Sequence, residues 1–237
     1  MINLIREPVR KEEQSIEDVE ERLYNLVKQY LKKQPFFSIE EIIEYSHQRL
    51  KAYSNVNKLS LEKILKSFIK KKQIIPGTKL LKEDILENPT RENIYNFILN
   101  NAGANINEVM KFQNIGSNQA IWHLDFLEKF QFVRSVKLSN QKAFFDFKLD
   151  SSYDKVQFYL RNEKIEKIID FMENNESALK ATNISETLKM NYNTVKKYLK
   201  ILNELQFIRI LKENGQRSYI LDFEIYRETL DKIGSFK

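Results

Sequence analysis

Three lysines at helical spacing form the clearest chemical pattern in the chain. The segment around them has an apolar line at Val195, Leu199 and Leu202, which is one face of a predicted helix. Lys196, Lys197 and Lys200 lie on the opposite face. Three amines on one helix face suit a groove lined with phosphates, because each neutralised phosphate releases counterions. The plain alternative is that these lysines only solvate an exposed helix face.

Polar side chains flank this helix on both sides. Asn191, Tyr192 and Asn193 stand at its start, where they can hydrogen-bond to bases or phosphates. A hairpin with an Asn-Gly turn is predicted after it, and this hairpin carries Lys212 and Arg217. We therefore predict that the helix start, the lysine face and the hairpin form one DNA-binding surface.

The segment 75 residues earlier has the same apolar spacing but a different outer face. Lys196, Lys197 and Lys200 are replaced there by Ile121, Trp122 and Asp125. An apolar pair and an acid cannot neutralise phosphates. Ile121 and Trp122, with Phe126 one turn on, predict a protein interface, because a large apolar patch is seldom left in water. Cover by neighbouring parts of the same chain is the alternative.

Two further groups of residues are weaker candidates for contact with DNA. Asn118 and Gln119, at the start of the helix that carries Trp122, could read an adenine edge. Lys58, Lys63 and Lys66 lie on a predicted helix near the N-terminus and suit electrostatic attachment. The run of lysines at 70–72 is equally well explained by the dipole at the end of that helix.

Signatures of catalysis and of metal binding are nearly absent from the sequence. The chain has two histidines, His47 and His123, and no cysteine, so we predict no zinc site and no disulfide. Its five glycines do not form a phosphate-binding loop. We expect a protein that is not an enzyme and has no cofactor, with His123 as a structural imidazole whose hydrogen bonds are satisfied.

A recurring pattern predicts where helices begin. A polar residue is followed by isoleucine and, three places on, by glutamate at Ser38-Ile39-Glu40-Glu41, Asn105-Ile106-Asn107-Glu108 and Asn183-Ile184-Ser185-Glu186. This is the capping box, in which the side chains and backbone amides of the two end residues bond reciprocally. In the second and third copies the apolar residues downstream also match at a constant offset of 75.

Periodicity and turn residues predict the other elements. The predicted helices are 16–33, one opened by Ser38, one from Asn57 or Ser60 to about 72, then 91–100, 105–112, 119–130, 165–174, 183–189, 193–205 and 223–233. The predicted strand pairs flank Pro76-Gly77, Ser139-Asn140 and Asn214-Gly215. Residues 81–88 and 150–162 are predicted connectors. The fold class is therefore mainly α with small β wings.

The order of these elements predicts three tandem domains. They are 16–82, 83–150 and 151–237, the last with a C-terminal helix, and a charged leader precedes them at 1–15. The net charge of +6 is concentrated in the first domain, which has 14 basic and 8 acidic residues. No apolar run approaches the roughly 20 residues of a membrane helix. We expect a cytoplasmic protein without membrane insertion, associated with the nucleoid if it binds DNA.

Two segments resemble known regulators. Residues 194–209 resemble the third helix and wing entry of archaeal winged-helix regulators, and 120–134, with His123-Leu124, resemble the same segment of the ArsR and MarR families. The resemblance implies three tandem winged helix-turn-helix domains whose third helices enter the major groove of DNA. The chain departs from these families at Gln131 and Gln206, where glycine is usual before the wing.

Two functional hypotheses follow. The first is a non-enzymatic protein that binds double-stranded DNA, as a transcription regulator or chromatin-associated factor. The second is a protein-interaction scaffold, like the tandem winged helices of ESCRT-II or of RNA polymerase and general transcription factors. A combined hypothesis is a homodimer, formed through the middle domain, that spaces two DNA-binding arms and contacts the transcription machinery or other proteins.

Overall fold

The computed structural model describes residues 16–34, 38–51, 56–175, 177–213 and 215–234. These residues are mostly helical and include two three-stranded antiparallel sheets, so the predicted mainly α class with small β elements is confirmed. The chain divides into two compact units, Met1–Asn88 and Pro89–Lys237. The predicted leader at 1–15 lies outside the described residues.

In the described part of the first unit the α-helices are α1 (Ile16–Lys33), α2 (Ile39–Leu50) and α3 (Lys58–Lys70), and a 3-10 turn follows at Glu83–Ile85. Their apolar faces meet in a core in which Leu23, Ile42 and Leu61 are almost fully buried. The predicted capping box at Ser38 is present. Asn57 caps α3, and Ser60 bonds back to it as the third helical residue, so both predicted start residues take part in one cap.

The hairpin predicted after α3 is largely absent. A single antiparallel bridge, Ile74↔Leu81, stands where two short strands were predicted, although the turn at Pro76-Gly77 is present. Thr78 explains the difference. Its backbone N–H and its hydroxyl both donate to the Ile75 carbonyl, at 3.1 and 3.0 Å, and the hydroxyl also lies 3.3 Å from the Leu80 carbonyl. Bonds within the loop therefore take up carbonyls that a ladder would otherwise use.

The second unit contains two successions of helices, each with its own sheet. The first comprises α4 (Pro89–Asn100), β1 (Ala104–Asn105), α5 (Ile106–Gln113), α6 (Ser117–Lys129), β2 (Val133–Leu138) and β3 (Gln141–Asp146). The second comprises α7 (Asp154–Leu160), α8 (Glu163–Glu173), β4 (Leu179–Lys180), α9 (Ala181–Thr187), α10 (Tyr192–Glu204), β5 (Ile208–Glu213), β6 (Gln216–Leu221) and α11 (Phe223–Gly234). The strand orders are β1-β3-β2 and β4-β6-β5.

The offset of 75 residues extends to the backbone of these two successions. Left-handed φ angles recur at Asn114, 52°, between α5 and α6, and at Lys189, 49°, between α9 and α10. At the base of each hairpin an N–H donates to the Phe132 or Phe207 carbonyl, from Phe147 at 3.0 Å and from Asp222 at 2.8 Å. The sequence did not predict the short strands β1 and β4, which complete the two sheets.

The third predicted capping box is wrong. Helix α9 begins at Ala181, two residues before Asn183, and its cap residue Lys180 makes no side-chain cap bond. The 75-residue offset aligns Lys180, not Asn183, with the cap Asn105. Pairing of Lys180 with Ser218 fixes the chain in the sheet up to that residue. Ile184 is then fully buried, in the place that Val109 has in α5.

The segment 150–162, predicted as a connector, forms a 3-10 turn at Ser151–Tyr153 and then α7. Arg134 of β2 forms a bidentate ion pair with Asp154 at the start of α7, with hydrogen bonds of 2.5 and 2.7 Å. It also donates to the Leu149 carbonyl at 3.0 Å. Gly103, with φ of +85°, lies so close to α7 that an added Cβ would be 3.1 Å from Phe158 Cα. These contacts hold α7 against the first succession.

The two glutamines that replace the usual glycine adopt the glycine conformation. Gln131 and Gln206 have φ of 58° and 64°, and the next residue in each case donates to a carbonyl five residues back, at 2.9 Å. This is the helix end that glycine favours, because a Cβ in the left-handed region costs about 1–2 kcal/mol.

We predict that Gln206→Gly stabilises the protein by about 0.5–1 kcal/mol, since relief of the Cβ strain exceeds the added entropy of the unfolded chain. The measurement is urea unfolding followed by circular dichroism. Gln216→Gly, at an exposed position in β6, serves as the control and is expected to lower stability by a similar amount. A lower free energy of unfolding for Gln206→Gly would contradict the strain argument.

Candidate nucleic-acid interface

Helix α10 is held by its apolar face and by its N-cap. Val195, Leu199 and Leu202 are buried in the core of the second succession, as the spacing predicted. The Asn191 side chain accepts from the Asn193 backbone N–H at 2.9 Å and caps the helix. The opposite face is exposed at Asn193, Lys196, Lys197 and Lys200. The helix is therefore fixed from below while its polar face points away from the core.

The amines on this face are only weakly engaged. Lys196 lies over the Tyr192 ring at 5.4 Å and Lys197 over the Tyr198 ring at 5.8 Å. Within the part of the chain that the structure describes, neither has a carboxylate at ion-pair distance. Lys200 lies 3.9 Å from Glu204, and both side chains are more than half exposed. Such surface pairs contribute little, so this face keeps its positive potential.

One flank of α10 borders a cleft shared with the first succession. The cleft has a volume of about 250 Å³, and Lys197 and Tyr198 form its α10 side. Across it, Arg161 donates to Glu108 at 2.6 Å. Among the described residues, no carboxylate lies at ion-pair distance from Lys197.

The β5–β6 hairpin carries two opposed cations. Lys212 and Arg217 are partners in the strand register, and both are exposed. Like charges directly opposite each other destabilise a sheet unless an anion neutralises them. Neither cation has a carboxylate partner among the described residues. The predicted residues of the helix and of the hairpin thus belong to the same succession.

The β2–β3 hairpin has an equivalent pair that the sequence analysis missed. Lys137 and Lys142 are register partners, 75 residues before Lys212 and Arg217. The constant offset alone could have revealed them. Lys142 differs from its counterpart because its amine lies 2.7 Å from Glu128. That carboxylate removes much of the positive charge from this hairpin.

The outer face of α6 is apolar, as predicted. Ile121 is 44% and Trp122 51% exposed, whereas Phe126 is half-buried. Trp122 and Phe126 meet edge to face with ring centroids 4.9 Å apart. The guanidinium of Arg91, from α4, lies 5.1 Å from the Phe126 centroid and 5.7 Å from that of Trp122. Arg91 covers one side of this apolar patch and leaves the other open.

His123 is buried beside this patch. Burial, and secondarily the nearby charge of Arg91, lower the pKa of His123 below its usual value. The centroids of its ring and of the Trp122 ring lie 4.8 Å apart, and its Nδ1 atom has no hydrogen-bond partner among the described residues. The imidazole is buried, but the prediction that its hydrogen bonds are satisfied is wrong at Nδ1. Asn118 and Gln119 are exposed in the first turn of the same helix.

The lysines of α3 differ from those of α10 because carboxylates of the same unit reach them. Lys58 pairs with Glu44 of α2, and Lys66 lies 2.5 Å from Glu62. Lys63 is exposed without such a partner in the described ranges. These surface pairs are weak, but they reduce the positive potential that the sequence predicted for this helix.

Two other features bear on function. Across the described ranges, no helix is both long and apolar enough to cross a membrane. Groups of three or more His, Cys, Asp or Glu side chains arranged to hold a metal ion are also absent from those residues.

Comparison with known proteins gives one informative similarity. The chain is 30% identical over 155 residues to an uncharacterised HTH-type transcriptional regulator of the archaeon Methanocaldococcus jannaschii. The aligned region covers 65% of this chain and 39% of the relative, so the chain spans about two fifths of that protein. The predicted resemblance to archaeal helix-turn-helix regulators is thereby confirmed. No protein-family model matches the chain.

Proposed function

We propose that the protein binds double-stranded DNA and regulates transcription or organises chromatin without catalysing a reaction. The observation that carries this proposal is the exposed lysine face of α10, with two amines that no described carboxylate neutralises. The similarity to a protein named as a transcriptional regulator supports it. Association with DNA would place the protein at the nucleoid.

In this proposal the helices and hairpins form three winged helix-turn-helix domains, at 16–82, 83–150 and 151–237. The repeated order of helices and strands in the second unit supports the last two. Helix α10 enters the major groove, where Lys196, Lys197 and Lys200 contact phosphates. Tyr192 and Asn193 contact base edges or sugar.

The other predicted residues have supporting roles. Lys212 and Arg217 hold phosphates beside the groove, since the register already places these two cations together. Asn191 caps α10, and its amide N–H groups remain able to donate to a phosphate. Asn118 and Gln119 give the middle domain its base-reading capacity. Lys58, Lys63 and Lys66 add weaker attachment, because two of them are paired.

A titration against salt tests this function. We expect five cations, three on α10 and two on the hairpin, to neutralise phosphates. Because each neutralised phosphate contributes about 0.9, the logarithm of the association constant should fall with the logarithm of the salt concentration with a slope of about −4 to −5. We expect Lys212→Ala with Arg217→Ala to make the slope shallower by about 2. The measurement is fluorescence anisotropy with a labelled duplex.

The equivalent pair in the other hairpin provides the matched control. Lys137→Ala with Lys142→Ala removes the same charge, but Lys142 is already paired with Glu128. We expect this control to leave the slope within about 1 of the wild-type value. A wild-type affinity that does not change with salt would reject DNA binding.

The apolar patch on α6 favours a second function, protein interaction. Ile121 and Trp122 are about half exposed, and Phe126 supports the indole from the next turn. A second copy of the chain would bury this patch and space two copies of α10, which is how dimers set the distance between half-sites. A scaffold that binds other proteins would use the same residues.

We predict that Trp122→Ala shifts the protein from dimer to monomer, because large aromatic side chains dominate interface energies. The measurement is sedimentation velocity at several concentrations. Leu59→Ala, at a 61% exposed position in the first unit, is the control and should not change the association. If the wild-type protein is a monomer and does not bind duplex DNA, both the dimer hypothesis and the regulator hypothesis fail. The remaining hypothesis is then a scaffold that binds other proteins through this patch.

A further inference from the structure

A cavity of about 350 Å³ lies in the second unit, where the two successions meet. Its walls come from the end of α4, the segment after β3, helix α7 and the last turn of α11. Apolar side chains line most of it, namely Leu99, Ala102, Leu149, Leu160, Leu230 and Ile233. The volume lies at the lower end of the range for small-molecule sites, roughly 300–1,000 Å³.

Three carboxamide side chains line the cavity, and two of them, Asn100 and Asn101, donate to backbone carbonyls of α4 at 2.8 and 2.9 Å. The third, Gln157 of α7, is 9% exposed. A carboxamide can donate two hydrogen bonds and accept two, so Gln157 offers a hydrogen-bonding group to a molecule in the cavity.

The rim of the cavity carries no net charge. Asp146 and Arg161 stand on it, with one charge of each sign. The guanidinium of Arg161 is engaged by Glu108 at 2.6 Å, and Asp146 accepts from the Lys148 backbone N–H at 3.1 Å. Both side chains therefore have a hydrogen-bond partner, and the rim presents one charge of each sign.

We infer that this cavity binds a small, uncharged and mainly apolar molecule with one hydrogen-bonding group, which pairs with Gln157. The cavity receives walls from four segments, so it encloses a compact molecule better than an extended peptide. Helix α11 forms one side of the cavity with Leu230, which is 38% exposed. The site is defined without reference to DNA and does not depend on the proposed function.

The uncharged dye N-phenyl-1-naphthylamine is a suitable probe, because it is apolar apart from one N–H group, which can donate a hydrogen bond to the Gln157 carbonyl. With wild-type protein we expect a saturable rise in its emission. Gln157→Leu keeps the size of the side chain and should raise the Kd by about 3- to 10-fold, the worth of one hydrogen bond. Ala102→Phe fills the cavity and should raise the Kd more than tenfold.

Ala178→Phe makes the same change at an exposed alanine outside the cavity and should leave the Kd unchanged. If Ala102→Phe does not fold, Leu230→Trp at the partly exposed wall replaces it, with circular dichroism as the check on folding. The inference would be overturned if the dye emission did not saturate with wild-type protein. It would also be overturned if a folded variant with the cavity filled bound the dye with the wild-type Kd. Because no DNA is present, neither result bears on DNA binding.

Discussion

Reversal of charge on the α10 face, by Lys196→Glu, Lys197→Glu and Lys200→Glu together, is expected to lower the affinity for duplex DNA about 500-fold or more. Each phosphate contact contributes about 0.9 to the slope of the log association constant against log salt concentration. At roughly 0.1 M salt, the loss of three contacts therefore lowers the association constant by about 2.7 powers of ten. The reversed charges add repulsion. The three side chains are exposed, so the fold should be kept.

The measurement is anisotropy of a labelled duplex across a range of salt concentrations, where the slope should become shallower by about 3. Lys155→Glu, Lys164→Glu and Lys167→Glu form the control, because these three exposed lysines change the net charge equally on α7 and α8. The control should weaken binding much less. Equal losses from both triple variants would mean that overall charge, and not the α10 face, attracts the DNA.

This face was predictable because it depends on local periodicity. A buried line at every third or fourth residue fixes which side of a helix is exposed, and Lys196, Lys197 and Lys200 are on that side whatever the helix packs against. The β5–β6 hairpin was predictable for the same reason, since Asn214-Gly215 sets its register. The observed register places Glu213 opposite Gln216.

Features that depend on contacts between distant segments could not be predicted in this way. The pairing of Lys58 with Glu44 joins two helices and removes charge that the sequence alone shows as free. Helix α7 has only seven residues, too few for a periodic signal, and its position depends on Arg134 and Gly103. Sheet pairing at Lys180 likewise overrode the capping pattern at Asn183.

Removal of the ion pair between Arg134 and Asp154 has the largest predicted effect on stability. The side chains are 19% and 6% exposed, and the two bonds between them are joined by the bond to the Leu149 carbonyl. Arg134→Met would leave the Asp154 carboxylate buried without its partner. We expect the free energy of unfolding to fall by about 3–5 kcal/mol, the usual cost of breaking a buried pair from one side.

The same substitution 75 residues later is the control. Arg209 also contacts a carboxylate, Asp222 at 3.2 Å, but its side chain is 67% exposed. Arg209→Met should therefore cost less than about 1 kcal/mol. Trp122, the only tryptophan, lies in the second unit, so its fluorescence in urea reports the unfolding of that unit. Equal losses from the two variants would show that burial does not strengthen the Arg134 pair, and α7 would then be held mainly by packing at Gly103.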